Sequence, residues 1–252
     1  KQSLRTWVSC DVAAIQVGMH PIVIRNDQTG MGTRETPADV GRVLDRYLDA
    51  VGLRVFDHDD LEQIDRVTAM PVINLLSDRE HPCQAIADLM TIEAWRPLQD
   101  VTVAYVGDGD NNVCRSLMMG AAMAGSTVRV GAPEDHQPDE TSVAVARRHA
   151  DVLITPDPRE AVAGADVVYT DVWTSMGQEA EEEERRRVMS PFRVDESLFG
   201  AAAADAIFLH CLPAHRGEEV TDAVMDHPRS RVFDQAENRL HGFKAVLLHL
   251  LG

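Results

Sequence analysis

Short, nearly continuous apolar runs alternate along the chain with longer stretches in which apolar residues return every three or four positions. The first kind reads as buried strands, the second as helices with one face turned inward. Strands are predicted over 20–25, 53–56, 71–75, 101–106, 127–130, 152–155, 166–171, 206–210 and 231–233. Helices are predicted over 3–17, 37–50, 59–67, 84–95, 113–124 and 234–250, with Pro37 suited to a first turn and Val40, Val43, Leu44, Tyr47 and Leu48 sharing one face. Strand and helix alternate throughout, which predicts the α/β class with two doubly wound parallel-sheet domains. The periodicity breaks over 96–100, so the boundary is placed there, giving domains 1–97 and 98–252. Four glutamates over 181–184 precede Arg185, Arg186 and Arg187, and their i,i+4 spacing predicts a solvated helix face.

Composition narrows the picture. With 252 residues and 44% apolar content the chain can bury a substantial core, yet its longest apolar runs fall far short of the roughly 20 residues a membrane span needs. A net charge of −17 argues against nucleic-acid and anionic-membrane partners. An anionic ligand must therefore be held by particular arginines. Among the 24 basic residues only Lys1 and Lys244 are lysines, which disfavours Schiff-base chemistry, and no P-loop motif is present. Cys10, Cys83, Cys114 and Cys211 show no CxxC pairing, so neither a disulfide framework nor a zinc site is expected, and a reducing, cytoplasmic setting is. No charged-then-apolar leader is seen. The first residue is not Met, so one or more N-terminal elements are expected ahead of it, and the last helix reads as cut short.

Candidate chemistry gathers at the ends of these elements. Ser3-Leu4-Arg5-Thr6 opens a predicted helix with two hydroxyls, a guanidinium and free amides, a set that holds a phosphate dianion; the bland alternative is a serine cap beside a surface arginine. Arg54 in an apolar strand run either contacts an anion at the strand end or points out at an edge. His81-Pro82-Cys83-Gln84 forms a strand-to-helix turn that places an imidazole and a carboxamide in a helix N-terminal field. The turn 107–112 resembles a dinucleotide-binding loop, but Asn112 stands at the third glycine position, so a Rossmann-like sheet without a nucleotide cofactor is the better reading. Polar turns 171–179 and 210–213 follow two further strands, where ligands of open α/β sheets bind. His210, Cys211 and His215 do not read as a metal site, because Pro213 breaks any helix that would align them.

Taken together and in this order, S-L-R-T (3–6), H-P-C-Q (81–84), D-G-D-N-N (108–112), D-V-W-T-S-M-G-Q-E (171–179), H-C-L-P (210–213) and A-E-N-R (236–239) closely resemble the ornithine carbamoyltransferases over nearly the whole chain. The resemblance implies a carbamoyl-phosphate domain and a Rossmann-like amino-acid domain, with the last helix packing back on the first. It implies transfer of a carbamoyl group from carbamoyl phosphate to the side-chain amine of L-ornithine, giving citrulline for arginine biosynthesis, without a cofactor or metal. It also implies a homotrimer or a multiple of trimers. By position it gives Ser3, Leu4, Arg5, Thr6, Arg54, His81, Gln84, Leu212 and Arg239 to carbamoyl phosphate, and Asn112, Asp171, Ser175, Met176 and Cys211 to ornithine. Arg54, His81, Asp171 and Cys211 carry the catalytic roles. Two positions depart from the family's pattern: Trp7 replaces a second arginine, and Gly30 stands where a side chain reaches the neighbouring subunit. They keep open a different amine substrate, such as putrescine, an acylated ornithine or a specialised-metabolite amine, and a non-catalytic paralogue.

Overall fold

The computed structural model describes residues 3–174 and 182–252, with the side chains of 26, 27 and 182 left out. The chain divides into two compact units, 1–83 with 239–252, and 84–238. No described helix is long and apolar enough to cross a membrane.

The first unit opens with α1 (Leu4–Gln16), α2 (Asn26–Thr29) and α3 (Pro37–Leu44), followed by β1 (Val51–Arg54), α4 (His58–Asp65), β2 (Val72–Leu76) and the start of α5 (Pro82–Trp95). β1 and β2 pair in parallel, Val51 opposite Val72. Ala13, Ala14, Ile73, Leu75, Cys83, Phe243 and Leu247 form its core, so one face of α1 and the last turns of the C-terminal helix cover β2. The α3 helix begins at Pro37, as the sequence predicts, under a Thr36 cap that the structure adds, but ends early at Leu44. The Asp45 carboxylate then accepts the Ala69 and Met70 amides, a tertiary bond that ends the helix.

The predicted strand over 20–25 is absent. Ile22, Val23 and Ile24 lie more than half exposed in irregular backbone. An apolar run becomes a strand only where a neighbouring edge takes up its amides and carbonyls, and no described strand pairs with this one. The run and β1 instead face a common cavity of about 1260 Å³.

The second unit continues with β3 (Thr102–Val106), α6 (Asn112–Met123), β4 (Thr127–Gly131), α7 (Glu140–Ala146), β5 (Val152–Thr155), α8 (Pro158–Val162), β6 (Val167–Thr170), α9 (Glu182–Met189), α10 (Glu196–Phe199), β7 (Ile207–His210), α11 (Asp222–Met225) and α12 (Val232–Leu251), the last passing into the first unit at 239. Its five strands are parallel in the order β5-β4-β3-β6-β7. Both faces are covered: Tyr105, Leu117, Val130 and Tyr169 belong to one buried cluster, Ala104, Val168, Phe199 and Phe208 to the other. That explains why β6 and β7 read as unbroken apolar runs. From β3 the chain moves outward to β5, then returns to β6 on the other side, so the switch point lies between the carboxyl ends of β3 and β6.

The predicted strand over 231–233 is also overturned. Ser230 makes an isolated bridge to Phe208, and α12 begins at Val232. Val232 is buried whereas the next residue, Phe233, is 67% exposed, and the apolar face then continues at helical spacing. Three apolar or long residues in a row are too short a window to separate the two periods.

Candidate active site

In the first unit, Ser3 caps α1, its Oγ accepting the Thr6 amide at 3.3 Å. The side chain of Thr6 is buried, and two guanidinium groups converge on it. Arg54 Nη1, from the end of β1, and Arg239 Nη2, from α12, each lie 3.4 Å from Thr6 Oγ1. Two cations held about one small hydroxyl at a helix N-terminus repel each other, and a bound dianion turns that repulsion into attraction. Burial pushes the nearby Cys10 thiol up to about 12, with Arg239 and Arg54 pulling the other way. Cys83 is likewise raised by burial to about 11, so both thiols are inert at neutral pH. Leu4 and Arg5 are exposed on the first turn of α1. His81 is buried immediately before α5.

In the second unit, the site lies at the carboxyl ends of β3, β6 and β7. Thr170 Oγ1 donates to Val106 O at 2.7 Å, stitching β6 to β3 just before the turn that carries Asp171. Cys211 Sγ donates to Asp171 Oδ1 at 3.0 Å. Burial raises the Asp171 carboxyl above its ordinary range, while His210 and the Cys211 hydrogen bond oppose the shift. His210 Nδ1 accepts the Leu212 amide at 2.9 Å, so its hydrogen resides on Nε2, which donates to Glu219 Oε1 at 3.1 Å. Those bonds hold Leu212 at φ +59°, a left-handed backbone that a leucine adopts only when its surroundings impose it. Asp171, His210 and Cys211 bring ligand-type atoms within 4.8 Å of one another, but the imidazole nitrogens, the thiol and one carboxylate oxygen have protein partners.

Asn112 is the first residue of α6 and half-buried, while Asn111 caps that helix and donates to Tyr105 Oη at 2.8 Å. Gln84 is buried in the first turn of α5. Ser175 and Met176 lie outside the described residues.

Several residues at this end of the sheet carry no motif that singles them out. Arg185 is the clearest correction: it does not belong to a solvated face but is buried, its Nη2 paired with the Asp108 carboxylate and its Nε donating to Trp173 O at 2.7 Å. Arg186 reaches Glu218 and Arg187 pairs with Glu184 at i,i+3. A charge run written in one dimension cannot show that a single position of it turns inward. Gly107, the first residue of the turn 107–112, has φ +131°, a backbone that favours glycine, while a Cβ there would meet Trp173 and the Thr170 hydroxyl only at ordinary contact distance. Asp88, Gln235 and Glu219 are also fully buried here. One available signal is Asp88 itself, a carboxylate in an otherwise apolar helical stripe.

Residues 1–94 match the family model "Aspartate/ornithine carbamoyltransferase, carbamoyl-P binding domain", and residues 99–250 match "Aspartate/ornithine carbamoyltransferase, Asp/Orn binding domain". The chain is 49% identical over 257 residues to an ornithine carbamoyltransferase of Anoxybacillus flavithermus, covering 100% of this chain and 82% of that protein. It is 50% identical over 258 residues to the anabolic ornithine carbamoyltransferase of Pyrococcus furiosus, covering 100% and 82%. The solved structure of ornithine carbamoyltransferase from Pyrococcus furiosus superposes with a TM-score of 0.94 at 49% identity, over 99% of this chain and 81% of that one. That from Thermus thermophilus gives 0.92 at 45% identity, over 100% and 84%.

Proposed function

The chain belongs to the aspartate/ornithine carbamoyltransferase family, and from that premise we propose that it transfers the carbamoyl group of carbamoyl phosphate to the side-chain amine of L-ornithine, giving L-citrulline and phosphate. It is a carbamoyltransferase. The observation that carries the reading is the convergence of Arg54 and Arg239 on the Thr6 hydroxyl at the capped start of α1, a set fitted to the phosphate of the donor. Ser3, Leu4 through its backbone, and Arg5 complete that cradle, with His81 and Gln84 at the carbamoyl group. Residues 1–97 form the donor domain and 98–252 the acceptor domain, with the last helix packing back on the donor domain, in keeping with the grouping of 239–252 with the first unit. Anabolic use in arginine metabolism, a cytoplasmic setting and a homotrimer belong to the same reading.

The neutral amine attacks the carbamoyl carbon, a C–N bond forms, and negative charge gathers on the carbamoyl oxygen. Donors from His81, Arg54 and Thr6 stabilise that oxyanion. Collapse breaks the bond to the phosphate oxygen, and the phosphate leaves carrying the proton released by the amine. Asp171 orients the amino acid together with Asn112, Ser175 and Met176, and Cys211 with Leu212 lies beside the reacting amine. Asp171 suits this task because it is held at a strand end by the Cys211 thiol and flanked by His210.

Citrulline formation from carbamoyl phosphate and ornithine by the purified chain is the direct assay. A much higher kcat/KM with putrescine or an acylated ornithine would keep the reaction class and replace the acceptor. Failure to bind a bisubstrate phosphonate would leave a non-catalytic paralogue.

A further inference from the structure

Asp88 is fully buried on α5, one turn after Gln84. Its Oδ1 accepts Gln84 Nε2 at 2.7 Å and Gln235 Nε2, from α12, at 2.6 Å. Gln235 Nε2 also lies 3.1 Å from Tyr169 Oη, and its Oε1 accepts the His210 amide at 2.9 Å. A single carboxylate oxygen thus joins the side chain assigned to the carbamoyl group with the backbone of the turn that carries Cys211 and Leu212.

The geometry determines which way the Gln84 carboxamide faces. Two acceptor oxygens at 2.7 Å would repel, so the end of Gln84 that meets the carboxylate is its nitrogen, and Oε1 is the opposite end. A carbamoyl group differs from bare phosphate in carrying an –NH2 donor, and that donor is complementary to Oε1. The flipped carboxamide would set one –NH2 against another. An acceptor at that end of the carboxamide suits a ligand that brings a donor over one that brings only phosphate oxygens.

We propose that Asp88 is a positioning residue that fixes the Gln84 carboxamide for the carbamoyl –NH2, and so sets the preference of the site for a carbamoyl donor over a plain phosphate. The proposal rests on the carbamoyl-transfer reading above. It concerns the carbamoyl end alone, because Thr6, Arg54 and Arg239 hold the phosphate without Asp88.

Two probes separate these ends: phosphonoacetamide, which carries both phosphonate and carboxamide, and methylphosphonate, which carries the phosphonate only. Their binding to the full chain is measured by calorimetry for wild type, Asp88→Asn and Asp88→Leu. Asn keeps an acceptor oxygen for both glutamines and is expected to bind both probes within about threefold of wild type. Loss of a buried acceptor in Asp88→Leu should weaken phosphonoacetamide by about tenfold or more and leave methylphosphonate within about twofold. The KM for carbamoyl phosphate should rise in step, more than kcat falls. Asp88→Ser is smaller and polar, serves where the Leu variant does not fold, and carries the same expectation. Equal weakening of both probes reduces Asp88 to a structural role and overturns the proposal, as does no change in either. A wild-type protein that shows no preference for phosphonoacetamide overturns the carbamoyl-transfer reading itself, and that failure is visible before any variant is made.

Discussion

Arg54 reaches the Thr6 hydroxyl through Nη1 at 3.4 Å, and a guanidinium in that place can offer parallel donors to one dianion. Lysine keeps the charge but not the fork. Arg54→Lys is therefore expected to lose about 1.5–3 kcal/mol of carbamoyl-phosphate binding, the usual worth of a charge-assisted hydrogen bond. Calorimetry checks this, and an unchanged affinity would place Arg54 outside the site. Asp108 shows a second residue-scale effect, this time on stability. Burial raises its carboxyl to about 6, against the pull of Arg185. An acid raised in the fold holds its proton more tightly folded than unfolded, so its contribution is most favourable below the ordinary aspartate value and declines as pH rises towards 6. A rise of that size is worth roughly 3 kcal/mol between the two ends of the range. From pH 4 to 6.5 wild type should lose stability relative to Asp108→Asn in urea titrations, and parallel curves for the two proteins would remove this titration from the account.

At the scale of elements, α9 owes its position to one inward arginine. Arg185 bonds both the Asp108 carboxylate, just after β3, and the Trp173 carbonyl, just after β6, so the helix is tied to the two strand ends that flank the switch point. Removing the cation strands a buried carboxylate. Arg185→Met should destabilise the protein by about 3–5 kcal/mol, and adding Asp108→Asn should recover much of that loss. Additive losses in the double variant, read from urea midpoints, would show that the two side chains act separately. The same helix marks where sequence reasoning stops. Period alone recovers α1 with its Ser3 cap, the β3-to-β7 alternation and the turns at 81–84, 171–174 and 210–213, because each rests on local spacing. What it misses depends on neighbours distant in sequence: the pairing partner that 20–25 lacks among the described strands, the helical rather than extended course after Ser230, and the inward turn of Arg185. The candidate site is legible as motifs for the same reason. The supporting carboxylates Asp88 and Glu219 are not, since burial gives them their roles and burial is a tertiary property, and Asp108, although it opens the motif 108–112, gives no sign there of its pairing with Arg185.

Over the whole molecule a charge of −17 repels a dianionic donor at long range. Salt screens that repulsion beyond about 8 Å at physiological ionic strength, so capture depends on guanidinium groups within a few ångströms of the ligand. In the proposed site, Arg54 and Arg239, both held at the Thr6 hydroxyl, are the two expected from one chain. In the proposed trimer, a further cation for the phosphate pocket is expected from the loop 28–35 of the adjacent subunit. Gly30 brings no side chain, and at φ +67° it lies directly under Arg34, so that even a Cβ there would collide with the guanidinium. Gln28 has its carboxamide oxygen engaged with the Arg25 amide at 3.0 Å. Arg34 is exposed on the same loop and is the side chain best able to reach across, since a dianion attracts a guanidinium more strongly than an amide. A chain carrying Arg34→Ala and a chain carrying Arg5→Ala should each be weakly active alone. Dissociated and reassembled together, they should regain activity through mixed sites that take Arg5 from one chain and Arg34 from its neighbour. Activity that stays at the sum of the parents, or a monomer in solution with full activity, would show that each chain completes its own site.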